Sequence, residues 1–413
     1  MKFNIILIFI LFTSFSYSQS SSPYTRYGIG DLKYSFSARQ QGMGQLGVSL
    51  LDKAHISTTN PASWSDFNRT RIEFGLAYNG VSISNSSTSY YTAETEIEGF
   101  TFGFPVSTEY GIGIAAGLIP YSRISYKATQ NYKSSDTLIS DYSINFEGKG
   151  GLSKLFLGSS YRLPFNFCLG ATLDYYFGNL NYYSTLNFKN DNNYTAEYNL
   201  SYRPTGFGTT IGFISSNLNE ILKTEFLSEI RLGGSINYIS KLDTDTILTT
   251  TSSILVDTIA QSRTKIEIPL RLNLGLSFIF GKNYLITIDY SSQNFSNFRI
   301  AGIQNTQLQD AFKFSTGFEF IPTQQLGMTF WERVNWRVGL SYEQTPYYFK
   351  NTGINQYSIY SGVTLPLGVD NSIDIAIQYS MRGTTENNLL KENFIKLNLG
   401  ISFGELWFLS YER

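Results

Sequence analysis

The sequence predicts an all-β fold: a transmembrane antiparallel β-barrel of about 14 strands with an N-terminal plug, or hatch. Three observations carry the prediction. The first is the stretch Lys265–Phe280, KIEIPLRLNLGLSFIF, in which every even position is apolar and the odd positions are mostly polar or small. Strand side chains alternate faces with period 2, whereas a helix would spread those leucines around its whole circumference. Extended, the stretch spans about 54 Å, and tilted near 45° it rises about 38 Å, more than the apolar band of about 25 Å in an outer-membrane barrel. The second is composition. Aromatic residues make up 16% and charged residues only 15%, yet mean hydropathy is just -0.13. No apolar run after the N-terminus reaches the length of about 18 residues that a membrane helix needs. A barrel gives this signature because its wet-facing residues cancel the lipid-facing ones in any average.

The third is an alternation of connections. Ser107–Glu109, Pro164–Asn166, Gly281–Lys282 and Val369–Asn371 are short. Asn85–Glu94, Ser125–Ile139, Lys241–Thr264, Phe295–Asp310 and Thr345–Asn355 are longer and polar. Short turns at one end and long loops at the other is the outer-membrane pattern. Two connections at the short end, Ser215–Glu229 and Ile321–Val334, break it, and the sequence offers no reason. A soluble antiparallel sandwich also alternates, but strand length, loop asymmetry and aromatic load weigh against it.

Taken in order, residues 1–18 read as a signal peptide. Lys2 supplies the positive start, Ile5–Phe12 the apolar core, and Ser16 and Ser18 the small residues before cleavage near Gln19. Residues 19–70 lack alternation and hold Gly28, Gly30, Gly42, Gly44 and Gly47, so they suggest a compact, irregular segment with tight turns. Leu46, Val48, Leu50, Leu51, Trp64 and Phe67 favour a plug in the lumen over a loose tail. Residues 71–413 are the barrel. Its segments start at Arg71, Thr95, Tyr110, Ser140, Phe167, Tyr194, Ile230, Lys265, Asn283, Ala311, Asn335, Gln356, Ser372 and Asn393. One helical turn or two fits near Leu218–Leu227.

Several chemistries are excluded or unsupported. A net charge of -1 gives no basic footprint for nucleic acid. The single histidine, His55, lies in the plug with no Gly-x-Ser-x-Gly elbow, so no hydrolase triad assembles. It reads as a hydrogen-bonded plug residue, and no grouped ligands indicate a metal. Gly28-Ile29-Gly30 is too weak for a nucleotide loop. Cys168, the one cysteine, reads as a small buried residue. No enzyme activity, cofactor or metal is expected.

Ser22-Pro-Tyr-Thr-Arg-Tyr-Gly-Ile-Gly-Asp31, then Gly42-Met43-Gly44, then Asn60-Pro61-Ala62 just before the first strand, resembles the long-chain fatty acid outer-membrane transporter family of the FadL/TodX type, in its Bacteroidota-like version. The resemblance covers the whole layout. It implies a hatch motif at Asn60, Pro61 and Ala62, a 14-stranded barrel, and a kinked strand that opens a lateral exit into the membrane. Members often end in an aromatic residue, whereas this chain ends Trp407-Phe408-Leu409-Ser410-Tyr411-Glu412-Arg413.

Pro120 and the cluster Gly148, Gly150 and Gly151 interrupt segments that otherwise read as strand, and they are the candidate lateral gap, with Asn60-Pro61-Ala62 expected against it. Inward phase is expected for Arg71, Glu73, Asp174, Arg231, Lys265, Glu267, Arg271, Asp289, Lys313, Glu319, Arg337, Glu343, Asp374, Arg382 and Lys396. Most of these would pair and fill the lumen. Arg231, Arg271 and Arg337 are the candidates for a bidentate grip on a carboxylate headgroup. The leading expectation is an integral protein of the bacterial outer membrane for passive uptake of hydrophobic compounds such as long-chain fatty acids. Its partners would be outer-membrane lipid and a fatty-acid-like ligand. Two alternatives stand beside it: an interaction or shuttle barrel of a type IX secretion system, docking a protein partner, and a general diffusion porin.

Overall fold

The structure, a computed structural model, describes residues 22–133, 141–188, 191–252, 256–322, 328–368 and 370–406. The signal peptide and the C-terminal aromatics from Trp407 onward lie outside them. Among the described residues twenty strands are present. In chain order they are β1 Asp31–Leu32, β2 Thr70–Ser84, β3 Ser89–Ser107, β4 Ile112–Pro120, β5 Ser122–Tyr132, β6 Tyr142–Arg162 and β7 Cys168–Phe188. There follow β8 Asp191–Ile214, β9 Leu227–Ile239, β10 Leu242–Ser252, β11 Val256–Glu267, β12 Arg271–Phe280, β13 Tyr284–Gln293, β14 Arg299–Ile300 and β15 Ile303–Gln304. The last five are β16 Ala311–Phe320, β17 Asn335–Phe349, β18 Thr352–Pro366, β19 Ser372–Gly383 and β20 Lys391–Glu405.

β4 with β5, β9 with β10 and β11 with β12 are each one wall strand broken part-way, and β1, β14 and β15 are two-residue accessories. The wall therefore has 14 strands, all antiparallel. It closes where β20 pairs with β2, from Thr70↔Glu405 to Ser84↔Lys391. Closure pairs the first and last strands of the wall, so the sheet has no terminal edge strand.

Strand phase sets the two faces. Along β7 the outward side chains Leu169 and Leu173 are exposed, while Cys168, Thr172 and Asp174 are buried. Of the expected inward charges, Arg71, Glu73, Asp174, Arg271, Asp289, Lys313, Glu319, Arg337, Glu343, Asp374 and Arg382 are buried.

Four sequence expectations need correction. Lys265–Phe280 is not one uninterrupted strand. It breaks at Ile268–Leu270, where Pro269 cannot donate to the ladder, and the phase flips there. Ile266 and Ile268 are consequently buried inside while Leu274 and Leu276 face out. Lys265 and Glu267 are not lumen charges, because they lie on the exposed extension of the wall and pair with Asp243 and Lys241. Lys241–Thr264 is not a loop but the hairpin β10–β11, in register from Leu242↔Ile266. Its threonines are good strand formers that a polarity count reads as loop. Likewise Ser125–Ile139 begins as strand, since β5 runs to Tyr132. The single helical turn near Leu218 is present, at Asn219–Leu222.

Candidate functional site: an ion-locked interior and an interrupted wall

The chain ahead of β2 runs inside the barrel. Asn60 caps a short 3-10 helix, Pro61–Asp66, its Oδ1 accepting from the Ala62 amide at 3.0 Å. Its Nδ2 donates to three carbonyls, Val48 at 2.7 Å, Phe213 at 3.0 Å and Gly234 at 3.3 Å. Asn60-Pro61-Ala62 therefore sits against β7–β9 and not against the candidate gap, because the acceptors its amide needs are offered there. Glycine clears the way. A Cβ on Gly170, Gly212, Gly233, Gly317 or Gly339 would overlap Pro61, Asn60, Ser49, Met43 or Gly44. Cys168 is buried between Ala62 and Ile214. Asp289 accepts from the amides of Gly47 and Val48 at 3.0 and 2.9 Å, and Glu73 from that of Ile56 at 3.0 Å.

Five buried charges and the partly buried Asp52 form a closed ring of alternating sign. Arg39 pairs with Glu319 at 2.5 Å, Glu319 with Arg337 at 2.6 Å, and Arg337 with Asp374 at 3.1 Å. Asp374 then meets His55 Nε2 at 2.9 Å, His55 Nδ1 meets Asp52 at 3.1 Å, and Asp52 returns to Arg39. Three members come from the N-terminal segment and three from the wall. With His55 an imidazolium, the ring is neutral. Burial alone would push His55 down, but the carboxylates of Asp374 and Asp52 outweigh it and raise the imidazole to about 10. That value lies above the ordinary 6.5, so this stabilisation is complete below 6.5 and lost as pH rises through about 10. We expect the unfolding midpoint to fall progressively between about pH 6.5 and 10. The fall should be much smaller in His55→Gln, whose side chain is neutral throughout. Parallel midpoint curves for the two proteins would remove His55 from the lock.

Among the described residues the wall is interrupted at one place. β3 pairs with β4 only over Phe100–Ser107, and β5 pairs with β6 on one side. On its other side β5 meets only β1, Asp31↔Arg123 and Leu32↔Ser122. Among the described residues no backbone ladder joins β5 to the outer half of β3. Pro120 ends β4 at the break, and Tyr121 donates across to Leu152 O at 2.8 Å. Opposite it, β6 changes partner at Gly150 and Gly151, whose φ of +115° and +148° suit glycine. Gly148 lies further along β6, under the Tyr126 ring.

The interruption opens a recess of about 650 Å3, lined by Pro120, Gly150, Gly151, Ile97, Phe100 and Leu118 among others. Side chains span it instead of amides. Arg123 forks onto Glu94 at 2.9 and 3.1 Å and reaches Glu96 at 2.9 Å, and Lys33 pairs with Glu96 and Glu98 at 2.5 and 2.8 Å. Glu96 and Glu98 were not singled out from the sequence. The bulge at Gly99 breaks the alternation that would have marked them as inward.

The three candidate arginines are scattered. Arg337 is saturated by the ring and Thr364. Arg231 lies near the start of β9, on Glu229 and the Ser215 carbonyl. Arg271 lines a cavity of about 40 Å3 behind Pro120, with Lys154, Asn237 and Asn273. Its Nε donates to Gln293 at 3.1 Å and its plane covers Tyr121 at 4.7 Å, while Nη2 has no protein partner.

The geometry defines a closed membrane barrel, its interior occupied by its own N-terminal segment and its wall open at one seam. The chain belongs to the BamG family, whose model matches residues 1–412. No curated protein matches it. Among solved structures it is similar to a Pseudomonas aeruginosa FadL homologue, with a TM-score of 0.65 at 13% identity over 91% of this chain and 99% of that one. The Ralstonia pickettii toluene transporter TbuX gives 0.57 at 14%, over 90% and 99%, and the Pseudomonas putida toluene transporter TodX 0.54 at 16%, over 85% and 94%. At these identities the likeness is one of fold. Two of the three neighbours named are toluene transporters.

Proposed function

We propose that the protein is an integral outer-membrane transporter for passive uptake of hydrophobic compounds, long-chain fatty acids being the default ligand. In this reading residues 1–18 direct export, 19–70 plug the lumen and 71–413 form the barrel. The gap between β3 and β5 is the observation that carries it. Its recess has apolar walls at Ile97, Phe100 and Leu118 and opens through the wall, so an apolar ligand leaves sideways without crossing water. Arg271, behind Pro120, has a free N–H for a carboxylate head. A reducible thiol-to-thiol crosslinker across the gap, joining Glu94→Cys to Arg123→Cys in a Cys168→Ser background with the crosslink verified by mass, is expected to cut uptake of labelled fatty acid at least tenfold and to restore it on reduction. Equal uptake in both states would defeat the lateral route.

A docking barrel, such as a shuttle of the type IX secretion system, is the second reading. The filled interior favours it: two cavities between the N-terminal segment and the wall measure only about 40 Å3 each. That suits a few waters and no hydrocarbon. Mass spectrometry of the purified protein separates the two, bound lipid supporting the first and a stoichiometric protein without lipid the second. For the porin alternative, steady ion conductance in planar bilayers is the discriminating result, and the ion-locked interior argues against it.

A further inference from the structure

Arg271 is a buried cation, 7% exposed, that only neutral groups meet. Its Nε donates to Gln293 Oε1 at 3.1 Å and its Nη1 to the Lys33 carbonyl at 3.3 Å, and the Tyr34 and Tyr121 rings flank it. Nη2 is buried and has no protein partner. A charge without a counter-charge is among the costliest groups to bury. Arg271 lines the cavity of about 40 Å3 behind Pro120, beside Lys154, whose Nζ is 3.5 Å from Asp174.

Three residues on the wall of that cavity carry acceptors without a donor: Asn237 Oδ1, Asn273 Oδ1 and Glu98 Oε2. The two amides are fixed in direction. Asn237 Nδ2 donates to Tyr176 Oη at 2.8 Å and to Thr210 Oγ1 at 3.0 Å, and both of those hydroxyls donate to Asp174. Asn273 Nδ2 donates to Ser235 Oγ at 3.0 Å, whose proton goes to the Thr59 carbonyl at 2.7 Å. A flip of either amide would set its oxygen against an oxygen whose proton is already committed. Glu98 gives Oε1 to Lys33 at 2.8 Å. The cavity therefore asks for an anion at Arg271 and for a donor at the asparagines. A plain carboxylate supplies only the first, since it accepts and never donates.

We propose that the cavity takes the head of a hydroxylated fatty acid, a carboxylate with a hydroxyl on the α or β carbon. The proposal rests on the transport reading above and narrows its ligand. The carboxylate accepts from Arg271 Nη2, and the hydroxyl donates to Asn273 or Asn237. A cavity of about 40 Å3 has room for about three water-sized groups, which two carboxylate oxygens and one hydroxyl fill. The chain stays outside. Ile119 and Pro120 line both the cavity and the larger recess, so a head behind Pro120 lays its chain against Ile97, Phe100 and Leu118.

The test is equilibrium binding to the purified full-length chain in detergent. The probes are palmitate, its α- and β-hydroxy derivatives, and the matching fluoro acids, which are close in size but cannot donate. At least one hydroxy acid is expected to bind tenfold or more tightly than palmitate, because a site with unmet buried acceptors rejects a ligand that cannot reach them. Its fluoro analogue should lose that gain. In Asn273→Ala the ratio between hydroxy acid and palmitate should fall to about one, and the ligand series on the unaltered chain decides the matter if that variant does not fold. Equal affinity for palmitate, hydroxy and fluoro acids would overturn the proposal, water then meeting the asparagines, and would leave the transport reading standing. Binding of none of the probes would overturn both.

Discussion

Arg337→Ala is expected to destabilise the folded barrel by about 3–5 kcal/mol, the cost of breaking a buried ion pair from one side. Arg337 holds Glu319 and Asp374 apart and neutralises both, and all three side chains are no more than 2% exposed. Without it, three carboxylates, those of Glu319, Asp374 and Asp52, face Arg39 and His55 with one positive charge too few. The measurement is denaturant unfolding in detergent micelles, followed by the change in electrophoretic migration on unfolding. A companion variant, Arg337→Met with Glu319→Gln, removes one charge of each sign. It should recover a large part of the loss, because an uncompensated buried charge costs more than an absent pair. If the double variant is no better than the single one, charge balance is not what holds the ring.

Asn60→Asp is the second large effect, and the more diagnostic one because it changes no volume. The amide nitrogen donates to Val48, Phe213 and Gly234, while Oδ1 accepts from Ala62. Aspartate keeps the acceptor and turns the donor into an oxygen facing three carbonyls. We expect a loss of about 2–4 kcal/mol, at least equal to that of Asn60→Ala, from unmet buried hydrogen bonds. Asn60→Asp should recover in part as pH falls, since the protonated acid regains one donor. Amide exchange at Gly47–Ser49 and Ser63–Ser65 reads the same event locally. Wild-type exchange there in Asn60→Asp would mean that the motif does not pin the segment.

Much of this was legible in the sequence, for a physical reason. A membrane wall is written in period 2, and phase alone sorted Asp174, Lys313, Glu319, Arg337 and Asp374 to the inside. Pro120 and the Gly150-Gly151 pair marked the seam because a missing donor and a positive φ are local properties. Partners across the lumen were not legible. Nothing in the chain links His55 to Asp374, or Arg39 to Glu319, except the closed barrel itself. Phase also fails wherever a bulge or proline shifts it, as at Gly99 for Glu96 and Glu98 and at Pro269 for Ile266. The hairpin β10–β11 was misread because threonine, serine and charged residues occupy both its faces, although they form strand. An inside-polar template scores Thr246–Thr251 as loop when they are strand.

The glycines that clear the inner wall have a consequence for assembly order. A lining scalloped on successive strands to receive one particular backbone leaves no room for that backbone to be threaded in late, past ion pairs already made on every side. The last strand meets the first along fifteen residues, Thr70 to Ser84, directly after the chain leaves the interior. The front of the protein thus acts as the mandrel on which the cylinder is wound. It must be seated before the seam between β20 and β2 zips shut.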